Sequence, residues 1–320
     1  MKKIALCILA LFVFVEVFAQ DPHYTQYDAS SLILNPALTG TFGSPQKYRV
    51  ATQYRSQWGL LGGRIATSSL AYDMVYQGKW GIGGYMLDYD APGNFNALNV
   101  LLSGAYKISQ AGQDKQIMTV GLQAGLINKN NKDLVFDNQY SFGNFDPDLP
   151  SGENYRKYSI LMPEVNLGFN YRQNDKSKKV NPYGGLAAFH LTHPKEKFFE
   201  VSPNSRLPIR GVLNGGAAIT VSNNVTVDPN FVWMKQQAAN NIIFGLRGIY
   251  DFKNGADGPN NSVAIMGGVA YRLHDAFISE LGVKYKNFVY KFSYDFPVST
   301  LKSYNNGRGA LELSVVYKGN

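Results

Sequence analysis

The sequence predicts an all-β chain, a transmembrane antiparallel β-barrel of an outer membrane with about fourteen strands. Three observations carry this. Apolar and polar residues alternate with period two in segment after segment from Gln46 to the end. No stretch after the first residues approaches the roughly 20 uninterrupted apolar residues of a membrane helix. The chain also holds 32 Gly and 21 Tyr in 320 residues, a balance that suits strands and membrane interfaces better than amphipathic helices.

The N-terminus reads as an export signal over residues 1–19. Lys2 and Lys3 precede an apolar run from Ile4 to Val15, and cleavage is expected near Ala19-Gln20. The only cysteine, Cys7, lies inside it, so neither lipidation nor a disulfide is expected of the mature chain. The formal net charge of +8 is spread singly along strand-like segments, which argues against nucleic acid as a partner.

Segment 20–45 is rich in turn formers and contains Asn35-Pro36-Ala37-Leu38-Thr39-Gly40. It fits a periplasmic arm, a plug entering the lumen or a short helical cap, and spacing alone does not choose.

The barrel is expected over 46–320, with strands at 46–57, 65–77, 80–90, 94–109, 114–129, 158–173, 181–192, 207–221, 225–236, 239–252, 261–273, 276–285, 287–295 and 308–318. An even count places both ends of the barrel on the periplasmic side. The long connections, 130–157, 193–206 and 296–307, then all fall outside the cell, and most of the others are short polar turns. Faces sort cleanly in several strands. Val263, Ile265, Val269 and Tyr271 lie opposite Ala264, Met266, Ala270 and Arg272, and Leu311, Leu313 and Val315 lie opposite Ala310, Glu312 and Ser314. By the same parity Arg247, Arg272, Glu280, Lys284 and Lys286 are candidate lumen-facing charges.

Tyr48, Tyr54, Tyr106, Tyr155, Tyr171, Tyr271, Tyr285, Tyr290 and Tyr317 are each followed by Lys or Arg. This is read as aromatic girdles with neighbouring cations reaching the headgroups. Strand glycines such as Gly81, Gly84, Gly185 and Gly268 are expected where strands bend or an inner element comes close.

No catalytic, cofactor-binding or metal-ligating residue is assigned, and no cofactor is expected. His190, His193 and Glu196 have a ligand-like spacing, but a strand would put the two imidazoles on opposite faces, so packing is the better reading. His23 and His274 are isolated, and no Ser-His-acid set can be assembled. Loop 130–157 carries Asp133, Asp137, Asp146, Asp148 and Glu153 without calcium-loop spacing, and reads as a surface that contacts partners.

The blocks Gln20-Asp21-Pro22-His23-Tyr24-Thr25-Gln26-Tyr27, Leu34-Asn35-Pro36-Ala37-Leu38-Thr39-Gly40, Tyr48-Arg49 and Tyr54-Arg55-Ser56-Gln57-Trp58 resemble the signature of the PorP/SprF membrane proteins of the type IX secretion system of the Bacteroidota. His190-Leu191-Thr192-His193-Pro194, Trp233-Met234-Lys235-Gln236, Tyr271-Arg272-Leu273-His274-Asp275-Ala276, Ser293-Tyr294-Asp295-Phe296 and Arg308-Gly309-Ala310-Leu311-Glu312-Leu313-Ser314 are similar too, in the same order. Asn35, Pro36, Gly40, Arg49, Tyr54, Arg55, Gln57 and Trp58 are the signature positions, structural or partner-binding.

The resemblance implies a non-enzymatic component that binds, anchors or helps export large surface proteins. Its expected substrates are adhesins with a type B C-terminal sorting domain, and its role extends to gliding motility. Implied partners are the secreted protein, lipoproteins or peptidoglycan-binding periplasmic proteins of the system, and outer-membrane lipids. The competing reading from the residues alone is a passive channel or hydrophobic-solute transporter.

Overall fold

The computed structural model describes residues 21–42, 45–57, 64–92, 95–109, 115–131, 137–141, 144–146, 148–150, 159–196, 205–252, 263–299 and 307–320. Alternation of face along every strand rolls the chain into one closed antiparallel barrel of fourteen strands.

Its strands are β1 (Tyr48–Gln57), β2 (Ile65–Tyr76), β3 (Trp80–Ala91), β4 (Phe95–Lys107), β5 (Gln116–Asn131), β8 (Ser159–Gln173), β9 (Val180–Phe189), β10 (Arg210–Thr220), β11 (Val225–Gln236), β12 (Ala239–Phe252), β13 (Val263–Arg272), β14 (Ala276–Tyr285), β15 (Phe288–Pro297) and β16 (Ala310–Gly319). Between β5 and β8, β6 (Tyr140–Ser141) and β7 (Asn144–Phe145) make a separate two-stranded hairpin. Each barrel strand pairs with its neighbours in sequence, and β1 closes on β16 in a register running from Tyr48↔Gly319 to Gln57↔Ala310.

The wall is inside out relative to a water-soluble domain. Leu102, Val269 and Leu161 are 75%, 64% and 63% exposed, whereas Glu312, Gln123 and Ser293 are fully buried. An apolar outer face with a polar interior is what lipid demands, because strand backbones are satisfied only in a closed ladder. Aromatic pairs mark both borders. At the end carrying the first and last strand termini, Tyr48 sits 5.9 Å from Tyr317, Phe288 4.8 Å from Tyr317, and Trp80 4.7 Å from Tyr106. At the other end Tyr271 lies 4.8 Å from Phe277, and Tyr294 4.8 Å from Phe296. These are the two membrane interfaces.

Three expectations are corrected. Four of the cations that follow tyrosines within strands do not reach headgroups: Arg49, Arg55 and Arg272 are buried, and Lys291 is bonded to interior carboxylates. The cause is the pleat, since a residue next to an outward ring must point inward. Lys286 does not line the lumen. Strand β14 ends at Tyr285, and Lys286 takes a left-handed turn conformation (φ 54°) with its ammonium 5.3 Å from the Tyr285 ring. Finally, β9 stops at Phe189 rather than 192, because His190 (φ 61°) starts a turn closed by His193 N–H donating to the His190 carbonyl.

The segment Asp21–Phe42 lies inside the barrel. It contains a one-turn helix, Ser31–Leu34, and a 3-10 turn, Pro36–Leu38. Tyr24, Ala29 and Leu32 pack on Ala51, Ala71, Tyr85, Leu87, Leu101 and Val316, while Leu34 packs on Ala187, Phe189, Val212 and Val232. Asp21 contacts Arg210 and Gln236, near the β9–β10 and β11–β12 connections, whereas Gly40 lies beside Asp73 and Gly81, near the β2–β3 turn. The segment therefore runs from one mouth of the lumen towards the other.

Candidate functional site in the occupied lumen

The inward positions of the strands supply charges that an apolar core would exclude, and the N-terminal segment completes their pairing. Arg55 from β1 reaches Asp295 of β15 at 2.8 Å and Glu312 of β16 at 3.0 Å. Arg272 of β13 shares Asp295 at 3.0 Å and also holds Asp275 at 2.9 Å. Into this cluster the segment inserts Thr25, whose hydroxyl accepts from Arg55 and Arg272 and donates to Asp295 at 3.0 Å. Glu312 accepts the backbone N–H groups of Thr25 (2.8 Å) and Gln26 (2.7 Å). Each carboxylate is thus desolvated but bonded on several sides, the condition under which buried ion pairs survive.

Gln26 extends the network by donating to Ser293 (2.9 Å) and the Glu312 carbonyl, while Gln53 donates to the Gln26 carbonyl at 3.1 Å. Asp28 receives Lys291 at 2.6 Å and Arg247 at 3.1 Å, and Glu280 takes the same two cations at 3.2 and 2.8 Å. Lys284 shares the inward face of β14 with Glu280.

The signature residues occupy the joints of this assembly. Asn35 donates from Nδ2 to the carbonyls of Phe169 and Leu186 (3.0 and 3.2 Å), and its Oδ1 accepts from Ala37 N–H at 2.9 Å. Pro36 lies against strand glycines: a Cβ on Gly121 would fall on the Pro36 carbonyl group, and one on Gly168 on the Asn35 side chain. Gly40, at φ 69°, is where the segment leaves the wall, touching Gly81 and donating its N–H to Asp73 at 2.6 Å. Arg49 grips the same Asp73 through Nε and Nη2, both at 2.8 Å, and donates to Ser31 at 3.0 Å. Tyr54 is half-buried, and Gln57 accepts from Arg55 Nε at 3.2 Å. Trp58 lies outside the described residues, as do Asp133 and Glu153 of loop 130–157.

Sequence reasoning missed Asp21, Asp28, Asp73, Asp295 and Lys291 as site residues. The available signal was the isolated charge at an inward position of an otherwise apolar strand, as in Lys291 and Asp295 of β15.

His190 is bonded to carboxylates. Just beyond β9 it is buried, with Nδ1 2.9 Å from Glu164 and Nε2 2.5 Å from Asp21, and Arg210 reaches the same Asp21 at 3.2 Å. His193 is exposed, and among the described residues no group of three His, Cys, Asp or Glu could hold a metal ion. Burial works against the imidazolium, but Asp21 and Glu164 outweigh it and hold the His190 pKa up at about 9. Because the folded value exceeds the ordinary 6.5, this latch contributes fully below about 6.5 and is lost as pH rises through about 9. The difference in urea midpoint between the parent and His190→Gln is expected to narrow from about pH 7 to about pH 10. A gap independent of pH would show that the imidazolium is not the stabilising form.

Between the segment, β8–β12 and the ends of β1 and β16, a cavity of about 400 Å³ remains, lined by Arg172, Tyr183, Asp228, Arg247 and Lys318 among others. A second, apolar groove of about 830 Å³ runs over Gly248 and Gly267 on the outer face of β12–β15.

Comparison with known proteins adds one family. The model of a family described as type IX secretion system membrane protein PorP/SprF matches residues 16–317. No curated protein matches the sequence. Among solved structures, the chain is similar to a FadL homologue of Pseudomonas aeruginosa (12% identity, 96% of each chain covered, TM-score 0.48). It is also similar to the toluene transporter TodX of P. putida (11% identity, 91% of this chain and 94% of that one, TM-score 0.49).

Proposed function

Given that this chain belongs to the PorP/SprF family of type IX secretion system membrane proteins, and so is an outer-membrane component of that system, we propose that it binds and anchors large secreted surface proteins and helps export them. The observation that carries this reading is the family match over residues 16–317. Supporting it, the chain's own N-terminal segment runs through the lumen and is tied to strands around it, which leaves the rims and outer loops as the main surfaces for another protein. The role is non-catalytic. Its substrates are adhesins with a type B C-terminal sorting domain, its setting includes gliding motility, and its periplasmic partners are lipoproteins or peptidoglycan-binding proteins of the same system. The mature chain begins near Gln20 after signal cleavage.

The test is affinity purification of the tagged protein from outer membranes in mild detergent, with mass spectrometry of what co-elutes. Recovery of a large secreted protein with its C-terminal domain, together with lipoproteins of the system, is expected. A bare barrel, or normal adhesin display in a deletion strain, would overturn the anchoring role. A solute channel would then become the reading to pursue, tested by conductance in planar bilayers.

A further inference from the structure

The interior of this barrel is nearly neutralised pair by pair, and the exception is local. Arg49, Arg55, Arg210, Arg247, Arg272 and Lys291 each have a carboxylate within ion-pair distance. Arg172 at the end of β8, Lys284 at the end of β14 and Lys318 at the end of β16 have none among the described residues. These three share the inward face and the same end of the barrel. Arg172 and Lys318 line the 400 Å³ cavity. Asp28 and Asp228 line it too, but Arg247 and Lys291 already hold Asp28, and Arg247 and the Tyr183 hydroxyl hold Asp228. Arg49, held by Asp73, and neutral polar and apolar groups complete the wall, including Asn214, whose buried Oδ1 is unpartnered.

The rim around this cavity has the same sign. Lys47, Lys79, Lys115, Lys176, Lys178, Lys179 and Lys286 sit in its turns or beside its strand ends. Among its described residues the carboxylates are Asp175, which Lys115 approaches at 3.5 Å, and Asp251. Unpaired cations held close together repel one another, so a site that keeps them gains when an anion arrives. By the even strand count this rim faces the periplasm.

We propose that the cavity and its lysine rim form a docking site for an acidic polypeptide segment, which places one carboxylate between Arg172 and Lys318 and others along the rim. A chain ligand fits because the cations continue from a pocket of side-chain size onto an extended ring. This does not depend on which surface protein is anchored, since it concerns the purified barrel alone.

The experiment measures fluorescence anisotropy of a labelled oligoglutamate peptide with the full-length protein in detergent, against oligoglutamine of equal length and inorganic phosphate. Saturable binding of oligoglutamate only, weakened by NaCl near 0.5 M, is expected. The double variant Arg172→Gln with Lys318→Gln should bind roughly tenfold more weakly, while Lys235→Gln, on the outer face at the opposite end, should bind as the parent does. A heat-dependent shift in electrophoretic mobility confirms that the variants are folded. Peptide affinity unchanged in the double variant, or no saturable binding, would overturn the proposal. Phosphate binding without peptide binding would replace it with a small-anion site.

Discussion

Arg55→Met is expected to lower the stability of the barrel by about 3 kcal/mol, read as a fall in the urea midpoint in detergent. The guanidinium is 4% exposed and bridges Asp295 and Glu312, which are 4% and 0% exposed, so its removal strands negative charge away from water. Asp295 keeps Arg272 at 3.0 Å, and Glu312 keeps the N–H groups of Thr25 and Gln26. These remaining bonds place the loss at the low end of the range for a broken buried pair. Adding Glu312→Gln should restore part of it, because it removes the stranded charge while the amide oxygen still accepts from one of the two segment N–H groups. Arg55→Lys should rescue poorly, since one ammonium cannot span both carboxylates as the planar fork does. A midpoint unchanged in Arg55→Met would show that the cluster contributes nothing net.

Gly121→Val is expected to expel the N-terminal segment from the lumen. The new side chain would fall on the backbone of Pro36 and Ala37, which cannot rotate aside as a flexible side chain can. Overpacking of this kind costs about 1–3 kcal/mol where a core can adjust, and here the partner able to move is the segment itself. Protease cleavage within 21–42 and an ionic conductance in planar bilayers absent from the parent are the expected readouts. Gly267→Val is the matched control: its Cβ would meet nothing within 4 Å, and Gly267 alternates onto the outer face. If the Gly121 variant stays silent and protected while folded, the segment does not depend on that wall.

The wall was the legible part of this protein. Period-two parity put Glu312 and Arg272 inside and Leu313 and Val269 outside, because a half-buried strand writes its two faces in alternate residues. The same rule, not applied to the tyrosine–cation pairs, would have turned Arg49 and Arg55 inward. Lys286 was misplaced by one residue of turn, and a single left-handed residue ends a strand without any compositional mark. The site was legible only as a set of signature positions of unknown role. The helical turn at Ser31–Leu34 is too short for periodicity, and the carboxylates that bind Thr25 and Gln26 just before it, Asp295 and Glu312, lie more than two hundred residues downstream, so no local pattern joins them.

Thr25 and Gln26 precede every strand of the barrel, yet the carboxylate that receives their backbone comes from Glu312 on the last one. Until β16 has met β1, those N–H groups and the arginine beside them have no settled partner, and once the two strands have met, the ladder leaves no seam through which a chain could be threaded. The bonds that Thr25 and Gln26 make to Glu312 are therefore available only after the last strand is in place. The cluster is thus completed only when the two ends of the chain pair, and pairings so distant in sequence form slowly.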